Sequence, residues 1–150
     1  MTTDLERARA RAAGSPSDAE AQVAAAYACD RAGHEEEAVR YYDAAWALGV
    51  PLEARRRFLV GYGSTLRNVG RLEESVAILG EAVAADPDYT PYKVFLGLAL
   101  HSYGHHAAAT ATLLAAILDL HGGARLDGFE RAIGEYQQEL VDRALAAQPR

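Results

Sequence analysis

Apolar residues recur along this chain at spacings of three and four, the period of an α-helix with one face turned inward. Leu59, Tyr62, Leu66 and Val69 form one such stripe, and Leu72, Val76, Leu79 and Val83 form the next. Gly70 between them marks a turn, because glycine takes the left-handed conformation past a helix end without strain. Asp86-Pro87 closes the second helix, since proline cannot continue the helical hydrogen bonding. Gly63 lies inside the first helix, where glycine is roughly 1 kcal/mol less favourable than alanine. Packing compensates: with no side chain at Gly63, a facing helix that presents Ser75 and Ala82 can come close.

The pattern then repeats. Gly97 follows Gly63 by 34 residues and Gly104 follows Gly70 by the same 34, a fixed period of the kind that marks a repeat architecture. Ala38, Tyr42 and Ala45 upstream match Ser75, Leu79 and Ala82, as do Ala109, Leu113 and Ala116 downstream. Gly33 precedes Gly70 by 37 residues, and the extra residues are expected in the Gly49-Val50-Pro51 connection because insertions go into loops. Helices are predicted over 2–13, 18–32, 34–48, 91–103, 105–120 and 127–147, flanking the pair already described. Ser17 with Glu20, and Asp127 with Glu130, have the spacing of capping boxes; Thr90 ahead of Pro91 is the expected N-cap of its helix. Gly122-Gly123 breaks the chain before the last helix, whose apolar stripe is Phe129, Ile133, Tyr136 and Leu140.

From residue 17 to about 121, this period, the paired glycines and the closing proline resemble the tetratricopeptide repeat family. The stretch from Gly63 to Arg71, followed by Glu73, Glu74, Ser75 and Val76, is also similar to a group of short bacterial members with no assigned reaction, some of them dimers. The resemblance implies an all-α chain, a right-handed solenoid of helical hairpins in one domain. Residues 1–16 would form an N-terminal helix, 17–55, 56–89 and 90–123 three repeats, and 124–150 a C-terminal capping helix that shields the last repeat from water. It further implies a non-catalytic scaffold whose first helices line a concave groove for a peptide or helix of a protein partner. Carried over by repeat position, the groove residues are Tyr27, Asp30 and Arg31, then Val60, Ser64, Arg67 and Asn68, then Val94, Leu98 and His101. An Arg67–Asp30 ion pair competes with binding of a partner carboxylate by Arg67. The carboxylate clamp of chaperone-binding members is missing, its positions being held by Val23, Tyr27, Gly61, Pro91 and Phe95. The alternative reading is assembly with a second copy of the chain, as a homodimer.

Composition narrows the function classes further. Alanine is about a fifth of the chain, which suits helices packed at close range, and the net charge of −6 argues against a nucleic-acid partner. The lone Cys29 falls at a core position and excludes an internal disulfide. The N-terminus has no apolar signal region, and the run from Ala107 to Leu118 is too short to span a membrane, so the expected setting is the cytoplasm. Lys93 as the one lysine points to a GC-rich bacterial source.

Chemistry-bearing motifs are sparse: no P-loop, no nucleophile elbow and no dinucleotide fingerprint occurs. The third reading is a metal-dependent enzyme built on His101, His105, His106 and His121. Gly104 ends the helix between His101 and His105, which spoils a single-face ligand pair, and no carboxylate lies close by in sequence. Solvent-exposed histidines, with no metal and no cofactor, are therefore expected. Glu35, Glu36 and Glu37 read as first-turn residues that complement the helix dipole, and Arg55, Arg56 and Arg57 as a solvated basic run opening the next helix.

Overall fold

The structure, a computed structural model, describes residues 3–120 and 126–148. Among them are eight α-helices and no strand: α1 (Asp4–Gly14), α2 (Ala19–Arg31), α3 (Glu35–Leu48), α4 (Leu52–Asn68), α5 (Leu72–Ala85), α6 (Thr90–Ser102), α7 (His106–Leu120) and α8 (Glu130–Ala146). The chain is all-α, as its periodicity predicts. The helices fall into two compact units, Met1–Arg71 with α1 to α4 and Leu72–Arg150 with α5 to α8.

One turn is used three times. After α2, α4 and α6 the chain passes through Gly33, Gly70 and Gly104 at φ of +74°, +82° and +91°. In each case the next residue's amide reaches back five positions: His34 to the Cys29 carbonyl, Arg71 to Leu66 and His105 to Leu100, all at 2.9 Å. The glycine amides bond to Asp30, Arg67 and His101. This pair of bonds satisfies the last carbonyls of a helix, and the left-handed residue it requires explains why glycine stands there.

In the first unit the core is built from small residues of α2 and large ones of α3 and α4. Ala21, Ala25, Ala26 and Cys29 are fully buried, and Tyr42 and Phe58 fill the space they leave. Tyr42 sits at the centre of an aromatic cluster, 5.3 Å from Phe58, 5.6 Å from Tyr62 and 6.1 Å from Tyr27. Burial raises the Cys29 thiol pKa, which fits an unreactive core residue. α1 docks by two polar anchors. The buried Gln22 donates to the Ala12 carbonyl at 3.1 Å, and Arg9 donates to both oxygens of Glu37, at 2.8 and 2.5 Å.

Four details depart from the sequence reading. The N-cap of α2 is Asp18, whose carboxylate accepts from the Glu20 amide at 3.0 Å, in place of the Ser17–Glu20 box. A two-residue reach suits the short Asp side chain and leaves Ser17 exposed. The extra residues of the first repeat are not in the Gly49-Val50-Pro51 connection. They lengthen α4 to 17 residues against 13 in α2 and α6, about one added turn, which keeps the apolar face in register. Arg55, Arg56 and Arg57 therefore lie past the start of α4: Arg55 donates to the Val50 carbonyl at 2.9 Å, and Arg57 lies 4.7 Å over the Tyr27 ring. Finally, Thr90 is the first residue of α6, with Tyr89 as its N-cap and no side-chain cap bond.

In the second unit α6 and α7 form the closest hairpin. A Cβ added at Gly97 would stand 2.7 and 2.8 Å from Leu113 Cγ and Cδ2, so the bare glycine face is what lets α7 approach. Gly63, its counterpart one period earlier, is also buried. Lys93 pairs with Asp119 across the hairpin. α8 packs on α7 yet has no fully buried residue. Of its predicted stripe, Ile133 and Leu140 are half-buried while Phe129 and Tyr136 remain 63% and 64% exposed. The Asp127–Glu130 capping box does not form: Asp127 is left-handed at φ +52°, and the N-cap is Phe129. Gly128 follows at φ +81°, so the chain is still turning where the cap was expected. The Gly122-Gly123 break lies outside the described residues.

Candidate functional site

The ten groove residues expected from the sequence divide between the units, seven in the first and three in the second. In the first unit, two of them are drawn inward by neighbours. Asp30 accepts from the Tyr42 hydroxyl at 2.6 Å and from Thr65 Oγ1 at 3.0 and 3.1 Å, so its carboxylate ties α2 to α3 and α4. Burial first, and then the hydrogen bond to Asp30, raises the Tyr42 pKa far above the ordinary tyrosine range. Tyr27 meets Tyr42 in a T-shaped ring contact and turns its face toward the Arg57 guanidinium. Its pKa is also raised, chiefly by desolvation.

Arg67 does not meet Asp30. Its guanidinium donates to Asn68 Oδ1 at 3.0 Å, and Asn68 Nδ2 donates to Glu35 Oε1 at 2.8 Å. Asp30 is already engaged by two hydroxyls, which are neutral donors and need no charge brought out of water beside them. Arg31, Val60 and Ser64 complete the set: Arg31 is exposed, the other two half-buried, and none has a side-chain hydrogen bond or ion pair with another described residue.

In the second unit Val94, Leu98 and His101 follow one face of α6 at spacings of four and three. Val94 is half-buried, Leu98 is 37% exposed and His101 is exposed. His101 is not alone. Its Nδ1 lies 3.3 Å from His106 Nδ1, and the two rings are 4.9 Å apart. His105 turns instead toward Tyr103, with ring centroids 4.9 Å apart. An apolar cavity of about 490 Å³ opens beside His105 and His106, lined by Leu100, Ala108 and Ala144 among others. Among the described residues no three His, Cys, Asp or Glu side chains gather as a metal site; His121 lies outside them. Glu35, Glu36 and Glu37 do lie in the first turn of α3, two of them serving Asn68 and Arg9.

A sequence model of the tetratrico peptide repeat matches residues 19–140. The chain belongs to the tetratricopeptide repeat family. Comparison with curated proteins and with solved structures gave no match. Tetratricopeptide repeats are in general non-catalytic modules of protein–protein interaction, and the three identical glycine turns are where this chain displays its repeats. No helix of the described residues is long and apolar enough to cross a membrane.

Sequence reasoning missed Thr65, Gln22 and His106 as partners. Thr65 and Gln22 are polar residues at otherwise inward positions, and that mismatch with the apolar stripe was the available signal. His106 was visible as a histidine, but its pairing with His101 depends on the turn at Gly104.

Proposed function

We propose that this tetratricopeptide repeat protein is a non-catalytic, cytoplasmic scaffold that binds a peptide or helix of a protein partner on the outward faces of its first helices. In the first unit that face is α2 and α4, with Arg31, Val60 and Ser64 at its centre and Tyr27, Asp30, Arg67 and Asn68 as its supporting frame. In the second unit it is Val94, Leu98 and His101 on α6. The observation that carries the reading is on α6: Val94 and Leu98 are apolar side chains left partly uncovered at positions where this family meets its partners. Uncovered apolar residues flanked by polar ones are the usual make-up of an interface centre. The test is a capture experiment from an extract of the source organism, comparing wild type with Leu98→Arg/Arg31→Glu and with the remote control Glu81→Arg. A partner retained by wild type and control and lost by the double variant supports the reading; equal capture by all three contradicts it.

A second reading, assembly with another copy, is favoured by α8. Phe129 and Tyr136 lie two turns apart on that helix and are mostly exposed, as is Leu120 at the end of α7. A solution mass of about twice the 16.1 kDa chain would support it.

A further inference from the structure

The turn between α6 and α7 brings two imidazoles side by side. His101 lies in the last turn of α6 and His106 is the first residue of α7. Gly104, at φ +91°, reverses the chain between them, and the His105 amide locks the turn by donating to the Leu100 carbonyl at 2.9 Å. The two Nδ1 atoms are 3.3 Å apart, with ring planes inclined by 56°. Two imidazole nitrogens held about 2.0–2.1 Å from one tetrahedral cation stand about 3.3–3.4 Å from each other. The two rings already stand at that separation.

We propose that His101 and His106 are the protein ligands of a surface site for Zn(II) or a like divalent d-block cation, each binding through Nδ1. Neutral imidazole is a preferred ligand of such ions, whereas Mg(II) and Ca(II) favour oxygen. In the metal-free pair one Nδ1–H donates to the other Nδ1. On binding, the donating ring keeps its proton on Nε2 instead, so both Nδ1 lone pairs face the cation and no proton leaves the pair. Both side chains are exposed, which gives the cation a direct approach. No third His, Cys, Asp or Glu completes a group among the described residues, so water fills the other positions. The site is therefore weaker than a closed four-ligand zinc centre.

His105 provides an internal control, since its ring is turned to Tyr103. Zn(II) is titrated by calorimetry into wild type, His101→Ala, His106→Ala and His105→Ala, with circular dichroism confirming that each variant is folded. The expected result is one site whose affinity falls about tenfold or more in both His101→Ala and His106→Ala, and is retained in His105→Ala. The imidazole resonances of His101 and His106 should also shift together on Zn(II) addition. Absence of binding to wild type, loss in only one of the two variants, or equal loss in His105→Ala would overturn the proposal.

Discussion

Half-buried where α2, α3 and α4 meet, the Asp30 carboxylate accepts one hydrogen bond from Tyr42 and one from Thr65. Removing it leaves two hydroxyls of nearly buried residues without their acceptor. Asp30→Ala should therefore lower unfolding free energy by about 1–3 kcal/mol in urea denaturation. Tyr42→Phe, which leaves the Thr65 bond in place, should lose less, about 1 kcal/mol. The repeat position alone assigns Asp30 to a binding face. Its side chain is directed by Tyr42 and Thr65, 12 and 35 residues away, and a local pattern carries no information about partners at that distance. Arg67 differs: its acceptor is its sequence neighbour Asn68, because Asp30 is already engaged by Tyr42 and Thr65.

Helices and their turns were legible because they rest on local rules, apolar period and glycine's access to positive φ. Caps were less so, since Ser17 and Asp18 both offer an acceptor and only the final backbone geometry chooses between them. The one-turn extension of α4 was hidden for a related reason: residues 52–55 can be written as loop or as helix until packing decides. At this scale glycine substitutions separate two effects. Gly97→Ala gains helix propensity of roughly 1 kcal/mol but drives its Cβ into Leu113, at a penalty of about 1–3 kcal/mol, so thermal stability should fall. Gly134→Ala in α8 meets nothing within 4 Å and should raise stability by up to about 1 kcal/mol.

The docking of α1 also belongs to this scale. Hydrogen bonding from Arg9, more than charge alone, holds the Glu37 carboxyl below its usual 4.5. A folded pKa below the unfolded one contributes stability that is present above 4.5 and is lost as pH falls through the lower folded value. The stability gap between wild type and Glu37→Gln should therefore be widest near neutrality and close under acid, as followed by chemical denaturation at a series of pH values.

At the scale of the whole molecule, we propose that the faces of α2, α4 and α6 meet a protein partner. The family and the all-α class could be read from residues alone; which of the ten face residues stay free of internal partners could not, because that depends on contacts within each unit. The direct measurement places a photo-crosslinking residue at Leu98 on α6, and in a second protein at the exposed Glu81 on α5, then maps what each captures in the source organism's cells. A distinct protein should be joined at Leu98 and not at Glu81, with the crosslink lost when Val94→Arg is added on the same helix. The same adducts at both positions, or only a second copy of the chain at Leu98, would contradict it.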